Sequence, residues 1–169
     1  MSYKEQLVDS SKLIGDMVVK SVGKNPDHYK EILDLVLYES MPMSSRAGRV
    51  LNMCTENEPV LFQPHVDTVI NEIRKGKEIH RCILKIFAEI QVVLNRNQEG
   101  ILVNACFDWL ADESKSIATK VYCMEILARF AEKEPGIIPE LIALLEGLLP
   151  VGSVGTKNRA LKIIKRLTR

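Results

Sequence analysis

Four cysteines and three histidines are the side chains of this 169-residue sequence best suited to metal or thiol chemistry. Cys54, Cys82, Cys106 and Cys123 form no Cys-x-x-Cys pair and show no metal-ligand spacing. Each sits in an apolar, periodic segment, which reads as free thiols packed as small hydrophobes in a reducing cytoplasm. His28, His65 and His80 are scattered singly, so neither a metal site nor a cofactor is expected. There is no glycine-rich phosphate loop, no Ser/His/Asp order and no pair of carboxylates at acid–base spacing. Two stretches remain. ESMPMSSRA (39–47) sets Ser40 beside Met41–Pro42 with Arg46 close by, and CFDWL (106–110) sets Asp108 beside Trp109.

The first stretch resembles the Gly-Ser-Ser-x-Met-Pro-x-Lys-x-Asn-Pro loop of the fumarase and adenylosuccinate lyase superfamily, where a loop serine is the catalytic base. The departures are substantial. Glu39 precedes Ser40, Ser44 stands where the lysine should be, and no Asn-Pro follows. Those enzymes also need a much longer chain, with sites assembled from several subunits. The plainer reading is a turn at Met41–Pro42, with Ser44 or Ser45 as the N-cap of the helix that carries Arg46. No lyase activity is expected, and no catalytic residue is assigned.

The elements that must position any site are helices. The segments PHVDTVINEI (64–73) and PELIALLEGL (139–148) place Pro64 over Pro139, Val66 over Leu141, Val69–Ile70 over Leu144–Leu145 and Ile73 over Leu148. Proline is tolerated in a first helical turn because its missing N–H would have no partner there. ILVNACFDWL (101–110) fills the same slots with Val103, Cys106, Phe107 and Leu110, and DHYKEILDLV (27–36) with Tyr29, Ile32, Leu33 and Val36. The starts at 27, 64, 101 and 139 define a repeat of 37 to 38 residues. A second helix follows each: RAGRVLNM from 46, RCILKIFA from 81, KVYCMEIL from 120 and RALKIIKR from 159, each opening on a basic residue. KLIGDMVV from 12 reads as an N-terminal capping helix. Turn-forming connectors at 23–26, 56–59, 96–100, 132–136 and 149–155 separate these segments, and no strand-like alternation appears.

Paired helices at this spacing, with proline opening the first and a basic residue in the second, resemble HEAT repeats over nearly the whole chain. The resemblance implies an all-α fold: a right-handed α-α superhelix of the HEAT/ARM-like solenoid kind, with a capping helix plus four helical pairs in a single domain spanning 1–169. SSRAGRVL, CFDWL, ATKVYCMEILA and NRALKIIKRL together are similar to a branch of short bacterial HEAT-like proteins, some of which carry the label adenylosuccinate lyase. With 46% hydrophobic and 27% charged residues the composition is that of an ordinary soluble protein. The longest apolar stretches fall short of a bilayer span, and the N-terminus is too polar for a signal peptide. A cytoplasmic protein without a membrane partner is expected.

The net charge of +1 conceals a pattern. Segments 44–55, 76–96, 114–134 and 153–169 hold 2, 4, 4 and 6 Lys/Arg against 0, 2, 3 and 0 Asp/Glu, a net +11, which leaves −10 for the remainder. In HEAT-like superhelices the second helices line the concave surface, the usual binding face of a solenoid. The resemblance therefore implies a basic inner face built from Arg46, Arg49, Arg81, Lys85, Lys120, Arg159, Lys162 and Arg166. The competing role of Arg46, Arg81, Lys120 and Arg159 is a ladder of ion pairs with acids of neighbouring repeats. The usual aspartate upstream is missing, however: Ser44–Ser45, Lys77–Glu78, Ser116 and Thr156 stand near its place.

The expected function is a non-catalytic scaffold or protein-interaction module for a partner with an acidic segment. The alternative is a nucleic-acid-binding solenoid resembling the DNA-alkylation-repair glycosylases, HEAT-like proteins that use aromatic and acidic residues; a lyase-like enzyme ranks third. In CFDWL, Phe107 and Leu110 fit core slots, so Trp109 reads as a packing or edge aromatic and Asp108 as a solvated acid.

Overall fold

The computed structural model describes all 169 residues, Met1–Arg169, in ten α-helices and no strand. α1 (Tyr3–Gln6) and α2 (Lys12–Val22) precede four successive couples. These are α3 (Pro26–Tyr38) with α4 (Met43–Asn57), α5 (Val66–Arg74) with α6 (Arg81–Glu89), α7 (Arg96–Ala111) with α8 (Ile117–Lys133), and α9 (Ile138–Leu148) with α10 (Val154–Leu167). The chain divides into two compact units, Met1–Leu94 and Asn95–Arg169. No helix is long and apolar enough to cross a membrane.

Local chemistry explains most helix starts. Ser11, Ser116 and Ser153 each accept the N–H of the residue three further on, at the heads of α2, α8 and α10. Asn25 accepts from Asp27 and His28 immediately before Pro26, which occupies the first turn of α3. Asn95 and Gln98 form a reciprocal capping box at the head of α7. Gly23 ends α2 at φ 50°, a conformation that costs little without a Cβ.

In the first unit α4 is the central element, packed against α2, α3 and α6. Ile32, Leu33, Leu51, Ile70, Ile83 and Leu84 are fully buried there. A polar thread runs through this core. Thr55 Oγ1 donates to the Leu51 carbonyl at 2.7 Å, which leaves Tyr29 to donate its hydroxyl proton to Thr55 at 2.6 Å. Burial raises the Tyr29 pKa above its usual value, so the phenol stays protonated and available as that donor. In the second unit α8 packs against both α7 and α10, and α9 against α10. Leu102, Cys106, Leu110, Cys123, Met124, Leu127, Leu141 and Leu145 form its core.

The structure corrects the sequence-based reading in four places. α7 begins at Arg96, not at 101, because the Asn95–Gln98 capping box starts a helix inside what reads as a connector. Its buried face is accordingly Leu102, Cys106 and Leu110, while Val103 and Phe107 are only half-buried. α6 ends at Glu89, well short of 96. Neither Ser44 nor Ser45 caps α4, since Pro42 already adopts helical torsions (φ −88°, ψ −4°) and the helix opens at Met43. Ser44 is buried within the first turn, and Ser45 reaches across to His80. Leu144 is half-buried and lines an open cavity instead of the core.

Candidate binding surface

The eight basic residues singled out from the sequence fall into distinct environments. In the first unit Arg46 is half-buried and donates from Nη1 to the carbonyls of Leu7 (3.1 Å) and Val8 (2.6 Å). Arg49 donates from Nη2 to the Ser10 carbonyl at 3.2 Å. Both arginines thus tie α4 to the turn between α1 and α2. Lys85 on α6 reaches Glu56 of α4 at 3.0 Å and Glu89 of its own helix at 3.7 Å. Arg81 is exposed at the first position of α6.

In the second unit Arg159 Nη1 meets Glu125 Oε1 of α8 at 2.7 Å. Arg166 contacts the other oxygen of Glu125 at 3.4 Å and Glu132 at 3.1 Å. Cross-helix ion pairs therefore exist, but their acids sit along the neighbouring second helix and not a few residues upstream of the base. Sequence inspection had no signal for that, because the spacings from Glu56 to Lys85 and from Glu125 to Arg159 follow only from how the helices pack. These pairs are partly exposed, so each contributes up to about 1 kcal/mol.

The remaining cations of α10 stand apart from this network. The helix and its last residues carry Lys157, Arg159, Lys162, Lys165, Arg166 and Arg169 and no acid. Lys162, Lys165 and Arg169 are exposed, and only Arg159 and Arg166 are drawn into ion pairs. On the other face Ala160 and Ile163 are buried and Ile164 and Leu167 half-buried, so the core stripe at i, i+3, i+4 and i+7 anchors the helix. Lys120 behaves differently from every other member of the set. It is buried, at 9% exposure, and faces a cavity of about 630 Å³ formed by α8, α9, α10 and their connections.

Groups with potential chemistry are engaged structurally. His28 Nδ1 lies 3.0 Å from the Tyr3 hydroxyl, and His65 stacks on Tyr29 with ring centroids 5.8 Å apart. His80 Nδ1 accepts the Cys82 N–H at 3.2 Å as the N-cap of α6. That nitrogen must be unprotonated, so in the neutral ring Nε2 carries the proton and donates to Ser45 Oγ at 3.3 Å. Cys54, Cys106 and Cys123 are buried free thiols and Cys82 is half-buried. Burial raises the Cys54 pKa to about 11 and also pushes Cys106 and Cys82 upward, which keeps them as inert thiols. Asp108 is exposed and Trp109 half-buried. Ser40 is exposed, just ahead of the turn at 41–42.

The histidines give a pH-dependent stability. Burial, with a smaller push from Arg81, lowers the His80 pKa below 6.5, and burial followed by Lys30 does the same for His65. Between 6.5 and the lowered native values the unfolded chain binds more protons than the folded one. Stability is therefore full above about pH 6.5 and falls as the pH drops through the native pKa values. Thermal unfolding midpoints should decrease from about pH 7 to about pH 5. The decrease should be smaller in His80→Asn, which can cap α6 without titrating. A flat profile, or an unchanged slope in the variant, would remove His80 from this account.

A family model described as a HEAT repeat domain matches residues 5–166 of the chain. No curated protein and no solved structure matches it.

Proposed function

Because the chain belongs to the HEAT repeat family, a helical repeat scaffold, we propose that it is a non-catalytic interaction module whose C-terminal helix receives an acidic segment of a protein partner. The observation that carries this reading is the charge left over on α10. Six cations and no acid lie between 153 and 169, while Glu125 and Glu132 engage only Arg159 and Arg166. Lys162, Lys165 and Arg169 face water. Helix-dipole stabilisation of cations in a last turn is worth about 0.3–1 kcal/mol each and acts only within that turn, so it accounts for part of the row.

Arg46 and Arg49 each engage one guanidinium nitrogen with backbone carbonyls, and Lys85 pairs with Glu56 and Glu89, which supports a binding role at the end of α10 over a row running through all the second helices. Exposed lysines and an arginine suit carboxylates of an acidic segment, reached through steered association that weakens with salt. The test is fluorescence anisotropy with a labelled glutamate-rich helical peptide and, in parallel, labelled single-stranded DNA. The peptide should bind wild-type protein, and Lys162→Glu, Lys165→Glu and Arg169→Glu together should weaken it by about tenfold or more, with only the small loss of thermal stability that charge reversal in a last helical turn brings. Tighter binding of DNA, with a steep dependence on salt, would transfer the role to nucleic acid. Equal peptide affinity of the folded variant and the wild type would end the reading.

A further inference from the structure

The cavity of the second unit has the chemistry of a small-ligand site. About 630 Å³ in volume, it falls within the roughly 300–1,000 Å³ of clefts that hold small molecules. Ile117, Leu144, Leu148 and Val151 supply apolar walls. Two of these, Ile117 and Val151, remain 55% and 78% exposed, so water covers apolar surface that a ligand would bury. Gly147 of α9 leaves open space, since a Cβ built there meets nothing within 4 Å.

The cation in this cavity has no counter-charge. Lys120 is buried to 9% exposure, lines the cavity, and makes no ion pair or side-chain hydrogen bond. Its ammonium faces the cavity with no partner of its own, so an anionic group entering there can meet it in a charge-assisted contact. Two helix N-termini open at the same place. Ile117 begins α8 and Ser153 caps α10, with Thr156 in its first turn, and all three line the cavity. Ser116 and Ser153 each satisfy one N–H through Thr119 and Thr156, while the partial positive charge of both helix ends remains and favours an anion. The other charged lining groups do not neutralise Lys120. Lys115 pairs with Asp112 at 3.6 Å, and Glu113 is exposed. One buried cation without an arginine fork matches a singly charged head group better than a phosphate dianion.

We infer that the cavity bounded by α8, α9 and α10 binds an amphipathic monocarboxylate with a medium-length apolar chain, the carboxylate on Lys120 and the chain against Leu144, Leu148 and Val151. This site is independent of the acidic-partner surface, because it uses neither Lys162, Lys165 nor Arg169. The test is calorimetric titration of the full chain with decanoate, decanol and decyltrimethylammonium below their micelle concentrations. Decanoate should bind about tenfold or more tightly than decanol, and the ammonium compound should not bind. Lys120→Met should hold decanoate no better than decanol, and Lys120→Gln gives the same comparison if the first variant does not fold. Gly147→Leu, whose side chain enters the empty space, should remove binding of both decanoate and decanol. Absence of decanoate binding, equal affinity for decanoate and decanol in the wild type, or unchanged decanoate binding in folded Lys120 or Gly147 variants would overturn the inference.

Discussion

Phe62→Ala should be the most destabilising single truncation in the first unit, lowering stability by about 3–5 kcal/mol. Phe62 has 0% exposure although it lies outside the α-helices, between two single 3-10 turns (Pro59–Leu61 and Gln63–His65) that lead into α5. Its ring meets Phe87 of α6 edge-on, with centroids 5.4 Å apart and planes at 83°. Such a pair adds about 0.5–1.5 kcal/mol to the area the rings bury. Since a domain is stable by only about 5–15 kcal/mol, the substitution should bring the unit close to unfolding at ordinary temperature. Urea denaturation should show a lower midpoint at unchanged slope, and Phe62→Leu, which retains most of the volume, should lose much less. A loss below about 1 kcal/mol for the alanine variant would mean the connector relaxes to fill the space.

Gly48→Leu should come next, because α4 and α6 approach at that glycine more closely than a side chain allows. A Cβ there would lie 2.6 Å from Cys82 Sγ, 3.0 Å from Cys82 Cβ and 3.1 Å from His80 Cε1. The two helices must separate to admit it, which pulls His80 from both its cap on α6 and its contact with Ser45. Overpacking of this kind costs about 1–3 kcal/mol, and a full leucine should reach or exceed the upper end. Gly48→Ala gives the sharper comparison. Helix propensity alone would make that change favourable by about 1 kcal/mol, so net destabilisation isolates the clash. Removing the nearest atom with Cys82→Ala should restore part of the loss, and a double-mutant cycle should show coupling between the two sites of about 0.5–3 kcal/mol. Stabilisation by Gly48→Ala alone would contradict the close approach.

The repeat was legible because amphipathic spacing survives whatever the helix packs against. Tyr29, Ile32, Leu33 and Val36 on α3, and Val66, Val69, Ile70 and Ile73 on α5, are buried as their spacing predicts. The misses share one physical origin. Boundaries depend on local events ahead of the hydrophobic run: at Asn95–Gln98 side chains capture the first free N–H groups, and at Pro42–Met43 the helical torsions of Pro42 start the helix with no side-chain cap. Phe62 was invisible because it lies in a connector, where no periodicity marks a core residue. The basic residues were identifiable as a class, but their fates were not. Whether Arg159 meets Glu125, or Lys120 meets nothing, depends on distances between helices that sequence spacing does not encode.

The most direct test of the binding role is a residue-resolved one. Amide chemical shifts of the isotope-labelled full chain should be followed as the glutamate-rich peptide is added at low salt and again at high salt. The account predicts perturbations concentrated at Lys157–Arg169 with little change at Arg46 or Arg49, whose guanidinium groups are held by the Leu7, Val8 and Ser10 carbonyls, and it predicts their loss as salt screens the charges. Perturbations centred away from α10, or none at peptide concentrations that saturate the anisotropy signal, would contradict it.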